Sequence, residues 1–390
     1  MPQHIAFDVP FAAPVSPHLD SVRAAHLEWV RSHGLVRSAA GLLEYESWDL
    51  PQAAARTYPY ASEDDLRMLM NWFSLAFLFD DQVDATGGGY PQRVAAVAKE
   101  LIAIPFQPPG SGPDVVCPIT LAWSEVWEWL SDGMSEPWRN RFASSWARFL
   151  AAHIHEVGLS GTGKVLGLEE YLVLRRITVG IHHSIDAAER SRRFEVPVEV
   201  QAHQVMRQMR DAAADAIAAM NDIHSLEREE RRGDPHNLVT VLRRDRGLSR
   251  KEAVDEAVRI ANDRLASYRQ LEARIPVLCD DLRLAAERRA AVEMGVEGIR
   301  NWVRGNYDWA LNTGRYVAAK TGAAVEAERR GQGAVDDLLP QPTIAGGGPV
   351  WPTESGHEES RHRRSGVAAG PGTDQGAVSQ RPRRGWRRGR

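Results

Sequence analysis

Cysteine and lysine are nearly absent from this chain. Of 390 residues only Cys117 and Cys279 are cysteine, and neither has a thiol neighbour in the sequence. A disulfide framework and a thiolate metal clamp are therefore excluded. Lysine and arginine total 48, yet only Lys99, Lys164, Lys251 and Lys320 are lysine, so the basic complement is almost all arginine. Long apolar runs are missing too: no window approaches the roughly 18 uninterrupted apolar residues of a membrane span. The opening stretch, MPQHIAFDVPFAAPVSPHLD, has no basic start followed by an apolar core, so the expected location is the cytoplasm. Charge of one sign is also lacking. The 48 basic and 52 acidic residues leave a formal charge of -4, too even to advertise nucleic acid or stable membrane insertion.

What is present is a core and a helical pattern. Hydrophobic residues make up 43% of the chain and charged residues 26%, a globular balance. From about residue 20 to 325 apolar positions recur at helical spacing, and Ala, Leu, Glu and Arg fill the segments. The expectation is an all-α fold with helices over 19–32, 62–83, 90–102, 117–130, 135–156, 167–187, 197–228, 236–244, 249–273, 278–290 and 293–319. Pro and Gly clusters separate them, but no linker divides the body, which predicts one domain over residues 1–325. Residues 326–390 read as a Gly-, Pro- and Arg-rich tail, expected to be disordered. The last 60 residues hold 12 glycines and 6 prolines and end in RPRRGWRRGR.

One motif fails on inspection. GLSGTGKV, residues 158–165, has the spacing of a phosphate loop. Such a loop needs a strand before it and Ser or Thr after the lysine. Here a helical sequence precedes it and Val165 follows Lys164, so the segment is expected to be a connector between helices.

Two acidic helix faces carry more. Residues 72–84, WFSLAFLFDDQVD, form an apolar run ending in Asp80, Asp81 and Asp84. Three carboxylates at a helix C-terminus oppose its dipole and are costly to bury without a cation. Asp80 and Asp84, one turn apart, share a face that suits magnesium, although a solvated last turn would give the same spacing. In NDIHSLEREE, residues 221–230, Asn221, Ser225 and Glu229 recur every fourth position and offer amide, hydroxyl and carboxylate oxygens along one face. Solvated polar residues would also produce this pattern. Arg228 lies beside the face, and Asp222 is placed to orient its neighbours. Arg175, Arg176 and Arg315 supply guanidinium forks that match phosphate oxygens. Trp72, Phe73, Phe77, Phe79, Trp302, Tyr307 and Trp309 recur beside these elements, either as core or as ring faces for a hydrocarbon cation. Together these features point to ionisation of an isoprenoid diphosphate.

Over roughly residues 5–320 the chain resembles the bacterial class I terpene synthases, in particular pentalenene-synthase-like sesquiterpene cyclases. FLFDDQVD resembles that family's aspartate-rich motif, with Asp80 as principal magnesium ligand and Asp84 as a further one. Asn221, Ser225 and Glu229 match its second metal triad, and Arg228 matches a basic diphosphate contact. Arg175, 46 residues before Asn221, fits the diphosphate sensor, Thr178 and Val179 its linker and effector positions, and Arg315-Tyr316 its terminal pair. The linker position often holds Asp in the family, and here it is Thr178.

The resemblance implies a single helical bundle around a deep apolar cavity. It implies three Mg2+ ions in the closed complex and farnesyl diphosphate cyclised to a sesquiterpene hydrocarbon or alcohol with release of diphosphate. Arg175, Arg228, Arg315 and Tyr316 would bind the diphosphate, while Phe77, Trp302 and Trp309 would contour the cation. The protein would act as a monomer or homodimer. Alternatives are a mono- or diterpene synthase, a chain-elongating prenyltransferase and a non-catalytic helical interaction protein.

Overall fold

Every regular element among the described residues is helical. The computed structural model describes residues 5–86, 91–162 and 164–316, without the side chains of 82–86, 91 and 160–162. In chain order the helices are α1 (Leu19–Ser32), α2 (Ala39–Trp48), α3 (Leu50–Thr57), α4 (Glu63–Thr86), α5 (Pro91–Ala103), α6 (Pro118–Ser131), α7 (Glu136–Thr162) and α8 (Leu168–Thr178). They continue with α9 (Ile181–Ser191), α10 (Val198–Gln201), α11 (Gln204–Arg232), α12 (Leu238–Arg246), α13 (Arg250–Glu272), α14 (Ile275–Asp281) and α15 (Ala286–Ala310), and a 3-10 turn at Gly314–Tyr316 closes the described chain. The tail expected over 326–390 lies outside the described residues. None of the described helices is long and apolar enough to cross a membrane.

The core explains the arrangement. α11 is buried along most of its length by a run of small and medium side chains, among them Ala212, Ala213, Ala214, Ala216, Ile217 and Met220. Small residues let neighbours approach closely, and α8, α9, α13 and α15 all pack on α11. On the other side α4 buries Leu66, Leu69, Met70, Trp72, Phe73, Leu75 and Leu78 against α1, α3, α6 and α9. The space between α4 and α11 is closed by α7, α8, α9 and α15.

Four departures from the expected helices have local causes. The span 39–57, expected to be irregular, holds α2 and α3. Ser38 caps α2 by accepting a hydrogen bond from Gly41 N at 3.0 Å, and Pro51 sits in the first turn of α3. The helix expected over 167–187 is two helices. Ile177, Thr178, Val179 and Gly180 are four weak helix formers in a row, and Gly180 takes φ +75°, the left-handed region that suits glycine. The helix expected over 197–228 is interrupted at His203, whose ring accepts from Val205 N at 3.2 Å as the cap of α11. The helix expected over 278–290 is also broken: α14 stops at Asp281, Arg283 adopts φ 51°, and α15 starts at Ala286. The glycine-rich stretch after 158 is not a connector. α7 continues through Thr162, which removes the strand-and-loop geometry a phosphate loop requires.

Candidate active site

A cavity opens between α4, α7, α8, α9, α11 and α15, enclosing about 970 Å³ including its mouth. Its depth follows from helix geometry. Along α4 the lining residues are Phe73, Ala76, Phe77 and Asp80, the i, i+3, i+4, i+7 face of two turns, so the carboxylate stands at the mouth and the rings line the interior. On α11 Ile217 lies one turn deeper than Asn221, and on α15 Trp302 and Asn306 lie deeper than Arg315 on the following turn. The mouth is therefore polar and the interior largely aromatic and aliphatic.

The mouth brings together most of the expected residues. Asp80, Arg175, Asn221, Ser225, Arg228, Glu229, Arg315 and Tyr316 all line the cavity. Arg175 is their junction: its Nε donates to Asp222 Oδ1 at 2.8 Å and its Nη2 to Asn221 Oδ1 at 2.6 Å. Asn221 Nδ2 in turn donates to the Tyr316 hydroxyl at 2.8 Å, which ties α8, α11 and the terminal turn into one network. Asp222 is held from behind, accepting from Tyr171 and from Leu238 N at 2.9 Å. Arg176, one residue on, turns away and forks onto Asp215 at 2.6 and 2.8 Å.

Asp81 does a different job from Asp80. Asp80 is 34% exposed toward the mouth, whereas Asp81 is buried and pairs with Arg228, with Arg315 at 3.4 Å and with Arg232 at 3.5 Å. Burial alone would raise its pKa, but the three guanidinium charges outweigh that and hold its carboxyl well below the usual range. Asp81 thus anchors α4 to α11 and to the terminal turn, and leaves Asp80 facing the cavity. Arg315 also lies over the rings of Trp48 at 4.3 Å and Phe77 at 5.3 Å.

The donors at the mouth suit a hard cation. Asp80 on one wall and Asn221, Ser225 and Glu229 on the other present oxygen only, as magnesium prefers. Burial, with Asp222 and Asp234 nearby, pushes the Glu229 carboxyl up to about 7. Among the described residues no three His, Cys, Asp or Glu side chains converge on one point. Ligands split over two walls leave coordination positions for an incoming anion. The side chain of Asp84 lies outside the described residues.

The comparisons agree with this geometry. Residues 71–267 match the model of terpene synthase family 2, C-terminal metal binding. A 7-epi-alpha-eudesmol synthase from Streptomyces viridochromogenes, named as cyclising (2E,6E)-farnesyl diphosphate, is 60% identical over 341 residues, which is 87% of this chain and 99% of that protein. The chain belongs to the terpene synthase family. A pentalenene synthase from Streptomyces avermitilis is 36% identical over 324 residues, 82% of this chain and 94% of that protein. Among solved structures, a crystal structure of a-eudesmol synthase superimposes with a TM-score of 0.76 at 58% identity, over 80% of this chain and all of that one. The class I terpene synthase fold expected from the sequence is thus the fold observed.

Within this terpene synthase the expected aromatics separate. Phe77 and Trp302 line the cavity. Trp309 does not: it stands behind Phe77 with ring centroids 5.5 Å apart, and its Nε1 donates to the Trp48 carbonyl at 2.8 Å. It supports the wall without forming it: position 309 shares the helix face of Trp302 and Asn306, but its ring packs against Phe77 and Tyr316, which stand nearer the cavity. Thr178 and Val179 line the cavity at the break between α8 and α9.

Several lining residues escaped the sequence reading. His153 and Glu156, on one face of α7, sit beside Asp80. His153 Nδ1 lies 3.4 Å from Glu156, and its Nε2 lies 3.8 Å from Asp80 Oδ1. Burial depresses this imidazole, but the Glu156 hydrogen bond and the two carboxylate charges outweigh it and raise its pKa. The spacing HIHE, with imidazole and carboxylate three apart on a helix, was the available signal. His183, Ser184 and Asn306 gave no signal, because each lies among other polar residues, in IHHSID and RGNYD, at no spacing that marks a site.

Proposed function

We propose that the chain cyclises farnesyl diphosphate, with magnesium, to a sesquiterpene alcohol. The observation that carries this is the opposition of Asp80 to Asn221, Ser225 and Glu229 across the mouth of an aromatic cavity. The near full-length similarity to a eudesmol-forming relative supports the fifteen-carbon substrate and the hydroxyl of the product.

Asp80, Asn221, Ser225 and Glu229, with Asp84 on the next turn of α4, would hold the magnesium ions, three by the family resemblance. Bound there, the ions neutralise the diphosphate and make it a better leaving group. The protein's own groups do the rest. Arg175 occupies Asn221 Oδ1, the oxygen a cation would take. A diphosphate that draws Arg175 to itself frees that oxygen, so anion and cation recruit each other. Thr178 and Val179, at the start of the α8–α9 break, pass this movement to the cavity wall. Arg228, Arg315 and Tyr316 close on the same anion and stabilise the charge that grows as the C–O bond breaks. Phe77 and Trp302 then present ring faces to the allylic cation, and the closed cavity excludes bulk water.

The test is incubation of purified protein with geranyl, farnesyl and geranylgeranyl diphosphates, with magnesium or with a chelator, followed by diphosphate release and gas chromatography with mass spectrometry. The expected result is a magnesium-dependent cyclic alcohol from farnesyl diphosphate carrying 18O when the solvent is H2 18O. Folded protein that releases no diphosphate from any of the three overturns the proposal.

A further inference from the structure

The floor of the cavity carries one basic group that the steps above do not use. His183 lines the cavity from the first turn of α9. Its ring contacts four aromatic rings nearly edge to face: Trp72 at 5.6 Å, Phe142 at 6.2 Å, Trp146 at 5.2 Å and Phe149 at 4.9 Å between centroids. Trp72 lies eight residues before Asp80 on α4, about 12 Å deeper along the helix. The imidazole therefore lies deeper in the bundle than Asp80. It is also not a satisfied core histidine of the His26 kind, which bonds Asn71 at 2.9 Å and Tyr45 at 2.7 Å. No hydrogen bond from a described residue holds either nitrogen of His183.

Two hydroxyls share its wall. Thr178 Oγ1 is buried and has no hydrogen-bond partner among the described residues. Ser184 Oγ donates to the Gly180 carbonyl at 2.7 Å and keeps its own lone pairs. Gly180 lets the His183 ring approach the α8–α9 break, since a methyl there would meet His183 Cε1 and Phe149 Cε2, each at 3.3 Å. Thr178, His183 and Ser184 all line this cavity, and a water there, which needs two to four partners, has these polar groups to draw on.

We infer that His183 is the base that ends the reaction, taking the proton from the water that captures the last carbocation. This rests on the cyclisation proposed above. A lone pair of the water forms the C–O bond, one O–H bond breaks with its electrons staying on oxygen, and the proton goes to an imidazole nitrogen. Alcohol and imidazolium result, and the imidazolium loses its proton to solvent when the cavity opens. Without a base the protonated alcohol reverts to cation and water, and the cation is then lost to other ends. Burial, reinforced by the charges of His182 and His153 and opposed by Asp186, holds the imidazole down to about 3, so its lone pair is free at neutral pH. A weak base suffices, because a protonated alcohol is far more acidic than this imidazolium.

The test compares wild-type protein with His183→Gln, which can hold water without taking its proton, and His183→Phe, which does neither. Both are expected to release diphosphate within about threefold of wild type, because ionisation occurs at the mouth. The alcohol's share of total products is expected to fall about tenfold or more, replaced by hydrocarbons. A packing role would lower release and product together and leave the distribution unchanged, and that result overturns the inference. A crystal structure of wild-type protein with its own alcohol decides independently of variant folding. The hydroxyl is expected within about 3 Å of a His183 nitrogen, and a hydroxyl pointing elsewhere overturns the inference. Failure of the wild type to release diphosphate would instead remove the proposed function.

Discussion

Arg175 shows how tightly single residues are bound to one another at the mouth. Its two hydrogen bonds go to the Asn221 amide oxygen and to Asp222, and Asp222 also accepts from Tyr171 and Leu238 N. Asp222 is fully enclosed, so removing it strands a guanidinium, a phenol and a helix-start amide at once. Asp222→Ala is expected to cost about 3–5 kcal/mol in denaturant unfolding, the usual result of breaking a buried pair. Tyr171→Phe removes one donor and is expected to cost only about 1 kcal/mol. Equal losses for the two would show that Asp222 is not the junction. Asn221, Ser225 and Glu229 were legible as a set because they repeat every fourth position, and that spacing alone puts them on one face of α11, where all three line the cavity. Asp222 was legible only as a neighbour that orients others, and its partners were not, because Tyr171 and Leu238 come from separate helices. His183 was invisible for a related reason. Its meaning depends on four rings from two other helices.

Helix identity was read correctly where apolar period and caps agree, as in α4, where Ser62 Oγ accepts from Asp65 N, and in α13 with its Ser249–Glu252 capping box. Breaks were missed where the period continues through them. The apolar face of 167–187 runs on past Val179, and only the weak propensities of four consecutive residues mark the turn at Gly180. The crossing of α15 with α3 was equally hidden. A methyl on Gly305 would stand 2.7 Å from the backbone carbon of Arg56 and 2.8 Å from its oxygen, so the two helices meet backbone to side-chain-free backbone. Backbone cannot step aside as a flexible side chain can. Gly305→Ala is therefore expected to lower stability by about 1–3 kcal/mol despite alanine's better helix propensity, and to shift Trp302, one turn away in the cavity wall. Thermal unfolding checks the first effect, and an altered product distribution in the same variant checks the second. A variant as stable as wild type would mean that α15 slides freely on α3.

For the molecule as a whole the question is how its buried ionisable groups balance as pH falls. Burial holds His26 and His224 down to about 4 and His183 to about 3. Between pH 6.5 and 4 the unfolded chain protonates these imidazoles while the folded chain does not. The unfolded state then binds more protons, and stability falls with pH at about 1.4 kcal/mol per unit for each group. Glu229 and Glu189 act in the opposite sense. Burial pushes both up to about 7, so between pH 7 and 4.5 the folded chain takes up their protons first and gains stability as pH falls. The two sets oppose one another, so wild-type stability depends on pH less steeply than either set alone would make it. Removing one member exposes its slope. His26 is the choice, since it lies on α1 outside the cavity and is held by Asn71 and Tyr45 alone. His26→Gln is destabilising at pH 7 through the lost Tyr45 and Asn71 geometry. Because the variant has nothing to protonate there, its deficit relative to wild type should shrink by about 2 kcal/mol at pH 5. Urea unfolding of both proteins at the two pH values measures this difference directly. A deficit that is the same at both would mean that His26 titrates alike in folded and unfolded chains, and that its burial does not keep it neutral.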